Sequence, residues 1–434
     1  MDPDATGSSH VRRGDTEIAG GSRFDKEILA LPLYEPRHTA LAQRISEWCG
    51  AHAALWEESD PSSHEQTGLR ILQALAQDGW LAFLHPDAGP EAEPAGDFRS
   101  ICLMRESLAY ADDLADYAFS IQALSATPLV RYGSLAQRRR YLPQLADGRL
   151  VGSFAVSEDE AGSDVAAIRL RAERVVDGYV LNGHKAWVAN GSIADLHCVI
   201  ARTGEGPGAL GLTAFLVPAA AHGMRVREKV AAIAPRAFAS LAFNDCHLPE
   251  DSVLGKPGGG FVIAMDLLDR FRMTVGAAAV GFARRAADAA LARARNRPMS
   301  DGHLFDLQMV KATFADIEVK LNAAALLVAR AAWEIDRGNR RFPKHSSIAK
   351  LYATEVAQEI VDAAVQIFGA AGLVKDSVTE RLYRQIRSLR IYEGASEVQK
   401  MIIAGLLDRS DDRLDAASSR GAMRQAPTRV GAGI

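Results

Sequence analysis

The sequence predicts an α+β, mainly helical protein in three parts: an N-terminal helical domain over residues 26–150, a middle antiparallel β-barrel or sandwich over 151–257, and a C-terminal helical bundle over 258–408. Three observations predict it. From Leu41 onward apolar residues recur three or four apart: Ile45 and Trp48, then Leu69, Leu72, Leu75 and Ala76, then Ile101, Met104 and Leu108, then Leu129 and Tyr132. That is the period of helices with one buried face. At Val151 the texture changes to short β-branched and aromatic runs, from VGSFAVS to LAFNDCHLP, with the spacing of strands in a barrel or sandwich. After Gly258-Gly259-Gly260 the helical period returns and holds to about Leu407.

Residues 1–25 and 409–434 are rich in small and charged residues without periodicity, and are expected to be tails. Within the first domain, Pro90 and Pro94 make the segment from Ala88 to Asp97 a loop. In the middle domain, Asp177-Gly178 between Val175-Val176 and Tyr179-Val180 predicts an antiparallel hairpin, with a type I′ turn that needs positive φ at both central residues. In the bundle, helices are expected over Phe261 to Arg297, Leu304 to Arg337, Ser346 to Phe368 and Val378 to Leu389, with an alanine-rich face from Val275 to Ala287 suited to close packing.

Composition excludes several classes. Lys and Arg total 50 against 54 Asp and Glu, a net charge of -4, which supplies no field for nucleic acid or an anionic membrane. No apolar stretch of signal-peptide length opens the chain and no uninterrupted apolar run is long enough to span a bilayer, so a cytoplasmic protein is expected. Cys49, Cys102, Cys198 and Cys246 lie too far apart for a zinc cluster or a disulfide framework and read as buried small residues; no metal site is expected. The glycines of Gly255-Lys256-Pro257-Gly258-Gly259-Gly260 are not followed by Lys-Ser or Lys-Thr, so the phosphate-loop pattern is unmet. Arg138-Arg139-Arg140 reads as a solvated helix face.

Three stretches carry chemistry. In the first, Leu389 to Gln399, Ser396 and Gln399 read as a capping box opening a helix at Ser396, so Glu393 sits just outside a helix start between Tyr392 and Gly394. Apolar neighbours would raise the pKa of that carboxylate and the helix end would lower it, a contest that can poise a general base; a surface turn is the alternative. The second, Ser153 to Asp164, is a strand ending in hydroxyls and carboxylates that could hydrogen-bond a polar ring edge, or form an acidic loop. The third, Gly183 to Gly191, places Trp187 where it could cover a flat heterocycle or fill the core.

In this order and spacing, the three stretches resemble the acyl-CoA dehydrogenase family, over roughly residues 30 to 408. A fourth motif, Ala364 to Gly372, and the dipeptide Leu307-Gln308 belong to the resemblance. It implies an FAD-dependent oxidoreductase acting on a CH-CH group of an acyl thioester, on CoA or on an acyl carrier protein. Glu393 would take the α proton and flavin N5 the β hydride. By the same resemblance Phe154, Val156, Ser157, Ser163, Trp187, Val188 and Ala189 contact the flavin. Arg297, Leu307, Gln308, Gln366 and Gly369 receive the pyrophosphate and adenosine from a neighbouring subunit, with Ala395 and Glu397 as a further nucleotide contact. Ser163, Asp269, Arg272, Tyr392 and Gly394 lie along the thioester and CoA arm, and the Glu393 main-chain N–H helps hold the thioester oxygen. A homodimer or homotetramer with FAD at the subunit interface is then implied, as is an external acceptor such as an electron-transfer flavoprotein.

Some positions depart from the family pattern. Ala189 stands where the family usually has a Thr, Ser157 at another usual Thr, Asp159 at a usual Pro, Ala370 at a usual Gly, and Gln385 at a usual Asp. Relatives that place their base on the first bundle helix would use the position held here by Phe271, which leaves Glu393 as the base. The competing readings are a flavin oxidase or monooxygenase on the same scaffold, and a protein that binds flavin or acyl thioester without turnover.

Overall fold

A computed structural model describes residues 24–57, 63–85, 97–299, 301–339 and 342–407. The tails expected at the two ends, apart from Phe24 and Asp25, and the 88–97 loop up to Asp97 lie outside the described residues.

The first part is helical: α1 (Lys26–Leu29), α2 (Pro36–Ala51), α3 (Ala54–Glu57), α4 (His64–Gln77), α5 (Phe98–Ala111), α6 (Asp113–Tyr132) and α7 (Leu135–Ala146). α5 is buried along nearly its whole length and runs almost directly into α6. The break is Asp112, whose extended backbone (φ -160) ends α5 while its carboxylate accepts the Leu114 N–H at 2.8 Å to cap α6. Asp113 and Asp116 follow in the first turn, where the helix dipole favours negative charge.

The middle part has eight strands: β1 (Gly152–Ala155), β2 (Arg171–Val175), β3 (Gly178–Ala189), β4 (Leu196–Arg202), β5 (Leu212–Pro218), β6 (Met224–Val230), β7 (Phe238–Pro249) and β8 (Val253–Leu254). They form one sheet in the order β6-β7-β3-β2-β4-β5-β8, with β1 on β4. Tyr179 on β3 and Phe215 on β5 are separated by two intervening strands, yet their ring centroids lie 5.1 Å apart. At about 4.8 Å per strand a flat sheet would hold them well beyond contact, so the sheet folds over its own core. Two expectations need correction. β3 pairs antiparallel with β7, but β1 and β2 both run parallel to β4, so the sheet is mixed. The hairpin exists, but Val175 pairs with Gly178, so the turn residues are Val176 and Asp177, and positive φ falls on Gly178 alone (φ +149). There the backbone of β7 passes so close that a Cβ would sit 2.0 Å from the Leu248 carbonyl oxygen, which only glycine allows.

The third part is a bundle: α8 (Gly260–Asn296), α9 (Gln308–Asp336), α10 (Phe342–Phe368), α11 (Val378–Ile386) and α12 (396–407), with a two-residue ribbon of β9 (Pro298–Met299) and β10 (Gly302–His303). The alanine face of α8 is buried, with Val275, Ala277, Ala278, Ala279 and Ala286 fully enclosed. Gly281 lets α5 approach until a Cβ there would meet the Glu106 carbonyl oxygen at 2.2 Å. Phe342–Leu373, which includes α10, is long and on average apolar enough to cross a bilayer, but Lys350, Glu355, Glu359 and Asp362 interrupt it, and α10 packs along α8 and α9 and buries Lys350 and Thr354. All four cysteines are buried thiols, as expected of small core residues.

α12 begins at Ser396 as expected, but there is no capping box. The Ser396 hydroxyl is taken by the Glu355 carboxylate from α10, and the Gln399 amide donates to the carbonyls of Gly394 (2.8 Å) and Glu393 (3.3 Å). The two side chains hold the preceding turn in place and leave the helix N-terminus uncapped by them.

Candidate active site

Glu393 sits in that turn with φ +53, a backbone conformation unfavourable for a residue with a Cβ. What holds it there is on both sides. Gly394 follows at φ +91, and its carbonyl accepts from Lys350 Nζ at 2.8 Å as well as from Gln399. Arg390 ties the preceding residues to Glu355 at 2.7 Å. The turn aims the carboxylate inward, where Oε2 is buried and has no hydrogen-bond partner among the described residues. Burial pushes the Glu393 carboxyl up to about 6, against the pull of Arg105, Lys350 and Arg272. A buried, unpartnered carboxylate titrating near neutrality can accept a proton from carbon.

The cavity it enters lies between α6, the β1 and β3 ends, and the 389–394 turn. Phe154, Val156, Ser157, Trp187, Ala189, Tyr392 and Glu393, drawn from all three stretches, line it together. The strand segments are clamped to one another: Ala186 N donates to Ser157 O at 2.9 Å, and the buried Lys185 ammonium donates to Val156 O and to Glu158, each at 2.8 Å. Trp187 is not core filling. A bulge in β3 between Lys185 and Val188 gives it φ +57 and leaves it 61% exposed beside the cavity. Val188 points the other way, into the sheet core, so only its backbone is available to a ligand. Ser163 and Gly162 are exposed in the loop after β1.

Asp269 and Arg272 pair on α8, and burial lowers the affinity of Arg272 for its proton and raises that of Asp269. The other sequence-predicted contacts lie elsewhere. Arg297 caps the far end of α8, about 37 Å along the helix axis from Arg272 at 1.5 Å per residue. There it gathers with Leu307 and Gln308 at the start of α9, through Leu304 N donating to Arg297 O at 2.9 Å, and with Gly369, whose absent Cβ would stand 3.8 Å from Arg297 Nη1. Gln366 is on the last turn of α10 beside Gly369. Ala395 and Glu397 flank the start of α12, Glu397 exposed.

Sequence reasoning missed four charged residues. Arg105 makes a bidentate pair with Asp116 (2.8 Å to each oxygen) and donates to Thr274 at 2.9 Å; Arg236 makes a bidentate pair with Asp113 and donates to Ser388 Oγ at 3.3 Å. Arg236 lies over the rings of Tyr117 (5.4 Å) and Tyr392 (5.8 Å). All four are buried, and Arg105, Asp116 and Arg236 line the cavity. The available signal was Asp112-Asp113 with Asp116 at the head of an otherwise apolar helix.

The arrangement suits a flat polar ring. Trp187 and Phe154 border the cavity, the Ser157 hydroxyl has no partner among the described residues, and the one orphaned carboxylate oxygen opens into the same space.

Comparison with known proteins bears on which ring and which reaction. Three family models match in succession: acyl-CoA dehydrogenase N-terminal domain over residues 35–149, middle domain over 153–246 and C-terminal domain over 258–407. A probable acyl-CoA dehydrogenase, FadE25, of Mycobacterium tuberculosis is 33% identical over 392 residues, covering 90% of this chain and 98% of its own length. The mitochondrial short-chain specific acyl-CoA dehydrogenase of Homo sapiens is 37% identical over 336 residues, covering 76% of this chain and 81% of its own. The structure of butyryl-CoA dehydrogenase from Megasphaera elsdenii superposes with a TM-score of 0.77 at 29% identity, covering 85% of this chain and 98% of that one.

Proposed function

The chain belongs to the acyl-CoA dehydrogenase family, a family of FAD-dependent oxidoreductases acting on CH-CH groups, and from that premise we propose that it oxidises an acyl thioester to the 2-enoyl thioester with Glu393 as the base. The observation that carries this reading is the buried, unpartnered Oε2 of Glu393 opening into a cavity bordered by Phe154, Ser157 and Trp187.

An α C–H is too weak an acid for a carboxylate in water, so the base must be partly desolvated and the carbonyl polarised by fixed donors. Burial supplies the first condition at Glu393. For the second, the Glu393 main-chain N–H is the candidate donor, its orientation fixed by the bonds of Lys350 and Gln399 to the next carbonyl. The α C–H pair stays with carbon as Glu393 takes the proton, and the double bond forms as hydride leaves the β carbon. A flavin held by the 154–157 and 187–189 segments would supply the acceptor for that hydride.

The test is to mix the purified yellow protein anaerobically with acyl-CoA thioesters and with the same acyl groups on a carrier protein. Bleaching of the flavin by at least one is expected, with little oxygen consumed in aerobic turnover. If no thioester bleaches it, dehydrogenation is wrong, and rapid oxygen uptake would make it an oxidase.

We also infer that FAD lies between two copies of the chain. Leu268, which lines the cavity, and Arg297, among the nucleotide contacts, stand 29 residues apart on α8, about 43 Å along the axis at 1.5 Å per residue, too far to serve one cofactor within one chain. Sedimentation of the holoprotein is expected to give a dimer or tetramer with one FAD per chain. A stable monomer with full FAD occupancy would refute this.

A further inference from the structure

α6 presents one continuous face toward the cavity. Asp113, Asp116, Tyr117, Ser120, Ile121 and Leu124 recur at helical spacing, and all but Asp113 line the cavity wall. The half of this face toward the helix C-terminus is apolar. The other half is an ion pair with Arg105, a phenol and a hydroxyl, backed by the Asp113–Arg236 pair.

A straight alkyl chain laid against the polar half would strip water from these groups and return no hydrogen bond, which is unfavourable for buried polar atoms. Hydrogen-bonding capacity remains there. Each guanidinium has five N–H groups and three are engaged by protein; each Asp116 oxygen accepts one bond from Arg105 and can accept another. The Tyr392 hydroxyl has no hydrogen-bond partner among the described residues.

The charges decide what kind of group belongs there. Arg105 is neutralised by Asp116, Arg236 by Asp113 and Arg272 by Asp269, while Lys350 and Glu393 attract each other. A substituent with its own charge would enter this dry space without a counter-ion. The position follows from the cavity, because Arg105, Asp116 and Arg236 line it together with Glu393, and Arg236 lies 5.8 Å from the ring of Tyr392, the residue before the base.

We propose that the acyl group taken by this site carries a neutral hydrogen-bonding substituent, a hydroxyl or its like, within two or three carbons of the thioester, read by Asp116, Arg105 and Arg236. The proposal rests on Glu393 acting on an acyl thioester and narrows which thioester that is.

Binding separates the two. Glu393→Gln protein, which should bind without turnover, is titrated calorimetrically with butyryl-, 3-hydroxypropionyl-, β-alanyl- and succinyl-CoA. The hydroxylated thioester is expected to bind at least tenfold tighter than butyryl-CoA, with the ammonium and carboxylate analogues no tighter than butyryl-CoA. In a folded Asp116→Asn, Glu393→Gln protein that preference should shrink several-fold. Tightest binding of butyryl-CoA, with flavin bleaching intact in wild type, overturns the polar reading and leaves the dehydrogenase reading standing. Tightest binding of a charged analogue also overturns it. If no thioester binds and none bleaches the flavin, both fall together.

Discussion

Glu393→Gln is expected to lower kcat/KM for the best thioester by about 10²- to 10⁴-fold, the usual worth of a positioned base, while the protein stays yellow and still binds substrate. In wild type the same group sets the pH dependence. With the carboxyl pushed up to about 6 by burial, kcat/KM should fall below that pH and level off above it. The variant should lose this limb along with the rate. A variant that bleaches its flavin as fast as wild type would remove Glu393 from the mechanism.

Stability should move in the opposite direction to activity. Below the ordinary Glu value of 4.5 the group is protonated whether folded or unfolded and contributes nothing. Between 4.5 and about 6 the folded protein holds a proton that the unfolded chain has released, so stability falls as pH rises. Above that range the buried charge costs about 2 kcal/mol, at 1.36 kcal/mol per unit. Glu393→Gln should therefore be more stable than wild type at pH 7.5 and should lose that advantage at pH 4. Such an exchange is what a strained, desolvated catalytic group predicts, and the φ of +53 at this residue agrees with it.

Much of this was legible because local sequence dictated it. The helix, strand, helix succession follows from periods of 3.6 and 2, and Gly394 after Glu393 announced a turn that the structure holds at φ +91. The misreadings share one cause, a partner supplied from far away in the chain. Ser396 has the spacing of a cap, but Glu355, 41 residues earlier, claims its hydroxyl. β1 is parallel to β4 because strand order is a property of the whole sheet. Trp187, which the sequence left open between the core and a flat ligand, was settled the same way, by a bulge in β3 against β7 that turns it out beside the cavity. Asp113 and Arg236, 123 residues apart, each look like surface charges until the fold brings them together under Tyr392.

That last pair supports the other large expected effect. Asp113→Leu alone strands the Arg236 guanidinium in a site where both partners are almost wholly buried, and should destabilise the protein by about 3–5 kcal/mol. Pairing it with Arg236→Met should recover most of that loss, because a buried ion pair replaced by apolar side chains of similar volume is often neutral or stabilising. Activity should not recover with it. Arg236 donates to Ser388 and lies as a cation over the Tyr392 ring, so it fixes the turn that gives Glu393 its direction, and methionine, with no donor and no charge, cannot replace it. Calorimetric melting of the two variants beside their kcat/KM values gives the answer. A stable single variant would mean that the pair does not hold this region. Full activity in the double variant would show that Arg236 only fills space, and that the Glu393 turn is held by Lys350 and Gln399 without it.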